Sequence, residues 1–195
     1  GLELAWLYAF IAGTAFSLLL TYVAPKWIMP LFNKFEPLED GELKDAIHAM
    51  SEKCEFPLTE VSIMDGSKRT AKANAFFTGF GKNKKIALFD TLVENQTVAE
   101  LVAVLAHEIG HFKRKHIIQS MILGIVQLAI TFYLLSLFLN NRELFNAFGV
   151  QETSVYLSLI FFGILYTPIS KVISIFMTIL SRKNEFEADA YASEV

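Results

Sequence analysis

The sequence predicts a mostly α-helical integral membrane protein carrying a small α+β domain. Three observations predict it. Residues 4–24, 117–139 and 153–180 are apolar runs of more than twenty residues; the first two carry no charge, and the third carries only Lys171. As helices, each is long enough to cross a hydrocarbon core of roughly 30 Å. The chain is 53% hydrophobic with 18 phenylalanines in 195 residues, more than a soluble core of this size readily buries. Between the first two runs lies a polar stretch, 26–116, whose patterning alternates between helical and extended periods.

The elements follow in chain order. The first run, 4–24, reads as a membrane helix closed by Pro25-Lys26. It begins beside Glu3 and lacks a basic start and a cleavage site, so it does not read as a signal peptide. Within 39–54, Leu43, Ile47 and Met50 fall at helical spacing after an acidic turn, which predicts an amphipathic helix. Residues 59–65 alternate and read as a strand, with Gly66-Ser67 as a turn. Residues 72–78 are a second extended candidate, 79–85 a hairpin connection and 85–89 a third short strand. A helix starts near Thr97, with Glu100 in its first turn. It is expected to run unbroken into the second membrane helix, 117–139. A short loop, 140–152, leads to the third membrane helix, 153–180, which Pro168 is expected to bend. Residues 181–195 form a further helical segment.

Charge placement predicts an orientation. Lys26 follows the first run, Lys113, Arg114 and Lys115 precede the second, and Arg182 and Lys183 follow the third. The 140–152 loop has only Arg142 against Glu143 and Glu152. The excess of basic residues puts 26–116 and 181–195 on the cytoplasmic face and 140–152 on the far side. A net charge of −3 gives no sign of a nucleic-acid binder. The single cysteine, Cys54, rules out an intrachain disulfide and a cysteine-ligated zinc site.

The chemistry is concentrated at His107-Glu108-Ile109-Gly110-His111. On a helix, two histidines four residues apart point the same way and can hold one zinc ion through neutral imidazoles. Glu108 then projects close to the metal and can act on a bound water, the H-E-x-x-H arrangement of zinc peptidases. The small domain is thus expected to be zincin-like. Two histidines leave one protein ligand to find. A histidine at position 117 would mark one known subclass, but Ile117 is there. His116, five residues past His111, is expected to face elsewhere, toward the membrane surface. Carboxylates remain: Glu185 and Asp189 share a helix face on the matching side of the membrane, and Glu187 points away. The favoured division puts Glu185 on zinc and Asp189 as acceptor for a ligating imidazole N–H, with Glu187 as the alternative ligand.

Four stretches carry a family resemblance: PLEDGELKDAI at 37–47, NAFFTGFGKNKKIALFDTLVE at 74–94, LAHEIGHFKRKH at 105–116 and SRKNEFEADAYA at 181–192. The chain resembles the integral-membrane zinc metalloproteases called type I CAAX prenyl proteases. The resemblance implies a Glu-x-x-x-Asp motif at the third ligand, matched by Glu185 and Asp189. It implies that Asn74 holds the substrate backbone, that the substrate is a peptide or protein with a prenylated C-terminal tail, and that the partners include membrane lipid. It also implies seven membrane helices around an internal chamber, and a C-terminal catalytic portion. With Gly1 in place of a starting methionine, a core fragment with little turnover of its own is expected. The membrane would be a bacterial inner membrane, or the endoplasmic reticulum in a eukaryote. Two other readings compete. One is a heat-shock-type membrane quality-control metalloprotease, which shares H-E-x-x-H and a later carboxylate. The other is a non-catalytic, peptide-binding membrane scaffold.

Overall fold

The structure is a computed structural model and describes residues 4–68, 70, 74–78, 84–139 and 141–195. It is mostly helical with one small sheet, and it divides into two compact units. One unit is Gly1–Leu20 with Ile118–Arg182; the other is Thr21–Ile117 with Lys183–Val195.

The first unit is built from apolar helices: α1 (Ala5–Val23), α6 (His116–Phe138), the short α7 (Arg142–Ala147) and the first part of α8 (Val155–Glu194). Among the described residues, three helical stretches are long and apolar enough to cross a membrane: Ala5–Phe32, His116–Phe138 and Val155–Glu194. The faces that do meet carry rings and hydroxyls. Trp6 packs edge-on against Tyr133, with centroids 5.4 Å apart. The hydroxyls of Thr131 and Tyr166 share a hydrogen bond of 2.7 Å between α6 and α8. Phe161 stacks on Phe148 and meets Phe145 edge-on, which seats α7. The expected 140–152 loop therefore contains a helical turn, capped by the Asn141 side chain accepting from the Leu144 N–H.

Pro25 does not end the first helix as expected. The chain passes through a wide π-type turn, Ala24–Ile28, and resumes as α2 (Met29–Phe32). Proline has no N–H to give to a preceding carbonyl, and a widened turn is a recurrent way for a helix to absorb such a gap. Pro168 is likewise carried inside α8 without ending it.

The second unit holds the sheet. Its strands are β1 (Phe35–Pro37), β2 (Leu58–Met64), β3 (Ala75–Thr78) and β4 (Lys84–Phe89), in the order β1-β2-β4-β3. β2 and β4 are parallel, and both edge strands are antiparallel to their neighbours. β1 is a strand the sequence reading missed: three residues ending in proline carry no alternation, and only pairing with Ser62–Met64 defines them. Lys72, Ala73 and residues 79–83 of the expected second strand and hairpin connection lie outside the described residues.

Helices α3 (Glu42–Lys53) and α5 (Val98–Lys113) supply the other half of the core. Ile47 and Met50 of α3 meet Ile86 and Leu88 of β4 in one cluster, as the amphipathic spacing predicts. α5 inserts Leu101, Leu105 and Ile109, spaced four apart and 0–1% exposed. Each such side chain contributes about 1.5–3 kcal/mol by leaving water. α5 begins where its sequence says: the Thr97 hydroxyl accepts from the Glu100 N–H while the Glu100 carboxylate accepts from the Thr97 N–H. Between β4 and α5 lies the short α4 (Asp90–Asn95).

The expected unbroken helix from Thr97 into the second membrane helix is not found. α5 ends at Lys113, Arg114 caps it, Lys115 takes φ 59, and α6 begins at His116. The Lys115 N–H reaches back to the Phe112 carbonyl and the Arg114 N–H to that of Gly110, closing the last turn. Periodicity cannot reveal this break, because the residues on both sides of it are good helix formers. The uninterrupted long helix is instead α8, whose 40 residues join the third apolar run to the Glu185 segment.

Candidate metal centre

The anchoring stripe of α5 decides where its histidines go. With Leu101, Leu105 and Ile109 in the core, a helix of 3.6 residues per turn carries His107 and His111 to roughly the opposite side. Both rings are partly buried. Their Nε2 atoms lie 3.1 Å apart, and Glu185 Oε2 of α8 lies 3.4 Å from the first and 3.6 Å from the second.

These three atoms fit a bound metal. A tetrahedral zinc with ligands at about 2.0–2.1 Å has ligand atoms roughly 3.3 Å from one another. The His107 Nδ1–H donates to Asp189 Oδ1 at 2.7 Å, which leaves a lone pair on Nε2. That lone pair faces the Nε2 of His111, an arrangement a cation between them relieves. Among the described residues, His107, His111 and Glu185 form the one group of this kind.

The approach of α8 to α5 depends on Gly110. A Cβ there would stand 3.1 Å from both the Cα and the carbonyl oxygen of Ala188, and 3.2 Å from the Tyr191 Cβ. Ala188 is fully buried at this crossing. The second of the motif's two variable positions is thus filled by the residue that lets Glu185 and Asp189 come within reach. Tyr191 packs into the same crossing, where burial and the neighbouring Cys54 thiol push its phenol up to about 12.

One residue lies where the sequence reading did not put it. His116 is buried, with Nδ1 3.0 Å from Nδ1 of His111, and does not face the membrane surface. The reason is the break at Lys115: on a continuous helix, five residues would turn His116 well away from His111. Glu187 Oε2 lies 3.2 Å from the Nε2 of His116. That hydrogen bond, helped by Lys183 at 3.7 Å, holds the Glu187 carboxyl below its ordinary range. Glu108 is half-buried on α5, next to His107. Asn74 is exposed at the start of edge strand β3, its carbonyl accepting from the Phe89 N–H and its side-chain oxygen from the Ala75 N–H.

Comparison with known proteins gives a consistent result. The model of peptidase family M48 matches residues 37–195. The chain is 35% identical to the CAAX prenyl protease 1 homolog of Mus musculus, over 97% of this chain and 48% of that protein. It is 40% identical to the Dictyostelium discoideum homolog, over 97% of this chain and 45% of that one. Against the crystal structure of S. mikatae Ste24p, the TM-score is 0.83 at 36% identity, covering 97% of this chain and 48% of that chain. The chain thus spans about half the length of the curated relatives it matches. The motifs at 37–47, 74–94, 105–116 and 181–192 all fall within or across this matched length, and the protein is a membrane protein that belongs to peptidase family M48.

Proposed function

We propose that the chain is the core of a zinc-dependent endopeptidase that acts at the membrane on C-terminal, prenylated CAAX-type tails. The observation that carries the reading is the convergence of two imidazole Nε2 atoms and one carboxylate oxygen within 3.1–3.6 Å, from residues more than seventy positions apart in sequence. The substrate class comes from the names of its relatives, CAAX prenyl protease 1 and its homologs.

His107, His111 and Glu185 would hold one zinc ion, and Asp189 would orient His107 through its Nδ1–H. A zinc ion so held supplies a Lewis acid that polarises a peptide carbonyl and lowers the pKa of water. Glu108 takes the proton of the attacking water as its oxygen adds to the carbonyl carbon. It then gives that proton to the departing amine nitrogen as the C–N bond breaks. No covalent bond to the protein forms. β3 offers an edge along which an extended peptide could pair, and Asn74 at its start would donate and accept with the peptide backbone. The catalytic segment would face the cytoplasm, of the endoplasmic reticulum in a eukaryote or the inner membrane in a bacterium.

The test uses the full-length protein in detergent. Glu108→Gln should retain zinc and lose peptide hydrolysis by about 100-fold or more. Equal turnover by the variant and its parent would discard the mechanism. Matched prenylated and unprenylated peptides decide the substrate class: equal kcat/KM on both would remove the lipid tail from the reading and favour a quality-control protease.

A further inference from the structure

His116 and Glu187 have no part in the mechanism above, yet they continue the hydrogen-bonded chain outward from His111. The contacts run His111 Nδ1 to His116 Nδ1 at 3.0 Å, then His116 Nε2 to Glu187 Oε2 at 3.2 Å. The His111 and His116 rings meet edge to face, 5.0 Å apart at 77°. His116 is 4% exposed, so its two nitrogens depend on these partners.

Only one arrangement of neutral imidazoles gives each of these two contacts a donor and an acceptor. Glu187 is a pure acceptor, so it takes the Nε2–H of His116. His116 Nδ1 is then an acceptor and takes the Nδ1–H of His111. His111 is left with a lone pair on Nε2, the atom 3.6 Å from Glu185 Oε2. The outcome for His111 matches what Asp189 does directly for His107. The left-handed residue Lys115 makes this possible, because it folds the start of α6 back so that His116 reaches His111.

We propose that His116 and Glu187 are positioning residues: a relay behind His111 that fixes the tautomer and ring orientation a metal ligand needs. This rests on the metal reading given above. Without the acceptor, the His111 proton can sit on Nε2, where it blocks the metal. Without Glu187, His116 can present its own Nδ1–H to that of His111, and the two donors repel. Groups that orient a ligating histidine in this way typically change metal affinity by roughly 10–100-fold.

The experiment measures zinc affinity of the full-length protein by competition with a chromophoric chelator, with zinc alone as ligand and no peptide present. His116→Phe keeps a ring in the space but offers no acceptor, and it should weaken zinc binding about 10–100-fold. His116→Gln can accept from His111 and donate to Glu187, and it should restore affinity to within about threefold of the parent. Glu187→Ala should weaken binding, and combining it with His116→Phe should cost no more than His116→Phe alone, since a relay is broken once. Parental affinity in His116→Phe, failure of His116→Gln to rescue, or additive losses in the double variant would each overturn the relay. His111→Ala separates the two readings. If it binds zinc as the parent does, the metal reading falls and takes the relay with it. If it loses zinc while His116→Phe does not, the relay alone falls.

Discussion

At the scale of single residues, the candidate site divides into atoms that would touch a metal and atoms that orient them. Glu185 and Glu187 sit two positions apart on α8 and are the pair that sequence alone could only rank. Glu185 Oε2 is within 3.6 Å of both α5 histidines, whereas Glu187 is engaged by His116 and Lys183. Zinc content of the purified protein should therefore fall sharply in Glu185→Gln and only modestly in Glu187→Gln; the reverse order would exchange their roles. Acid sensitivity follows from other carboxylates. The hydrogen bond from Lys68 and that from the Lys34 N–H hold Asp65 below its ordinary value of 3.8, at the junction of β1, β2 and the Gly66–Lys68 turn. A depressed carboxylate adds stability above its unfolded pKa and loses it as pH falls through the lower folded value. Asp65→Asn should thus be less stable than the parent at pH 7, and the difference should shrink at an acid pH below the depressed folded value. Curves that differ equally at both pH values would discard the assignment.

At the scale of elements, the sequence was most informative where one element decides its own fate. The α3 stripe and the helix start near Thr97 with Glu100 in its first turn are local, and the structure repeats both. β1 and the parallel pairing of β2 with β4 depend on partners distant in sequence, so no local pattern announces them. The two displaced expectations around α5, an unbroken helix and an outward His116, share one cause in Lys115. A lysine at φ 59 costs roughly 1–2 kcal/mol over a helical conformation, so nothing in its chemistry advertises the turn. Lys115→Gly should leave zinc affinity intact and change stability by no more than about 1 kcal/mol, because glycine adopts that conformation freely. Lys115→Pro, which cannot, should weaken zinc through the displaced His116. Gly110 makes the complementary point. Its neighbours at 3.1 Å are backbone atoms of Ala188 that cannot swing aside. Gly110→Ala should cost about 1–3 kcal/mol of stability and loosen zinc by drawing Glu185 away. Gly124→Ala, with nothing within 4 Å of the added Cβ, serves as the tolerated control. Equal unfolding midpoints for the two would show that the α5–α8 crossing is not close.

At the scale of the whole molecule, the apolar helices and the charge pattern carry separate information. Length and hydropathy say that three stretches can span a membrane, and they say nothing of direction. The proposed direction rests on Lys26, Lys113, Arg114, Lys115, Arg182 and Lys183, which flank the apolar runs at the ends nearer in sequence to the candidate site, against a single Arg142 in the 140–152 segment. These charges were readable from sequence because the basic bias acts on each span separately and needs no tertiary structure. In the proposed orientation α6 crosses once after His107 and α8 once before Glu185, which puts both residues on one face of the membrane and 140–152 on the other. The protein is well suited to a direct test. Its one cysteine, Cys54, is 3% exposed in the core of the sheet-containing unit, so a bulky thiol reagent finds little background. Glu39 and Gln151 are both exposed and lie in the two segments expected on opposite faces. With the protein in a bacterial inner membrane, a membrane-impermeant maleimide added to sealed cells should label Gln151→Cys and spare Glu39→Cys, and permeabilising the membrane should make both reactive. Labelling of Glu39→Cys but not Gln151→Cys in sealed cells would invert the orientation. Labelling of both without permeabilisation would mean that α6 and α8 do not cross, and the membrane-facing reading of the candidate site would have to be given up with them.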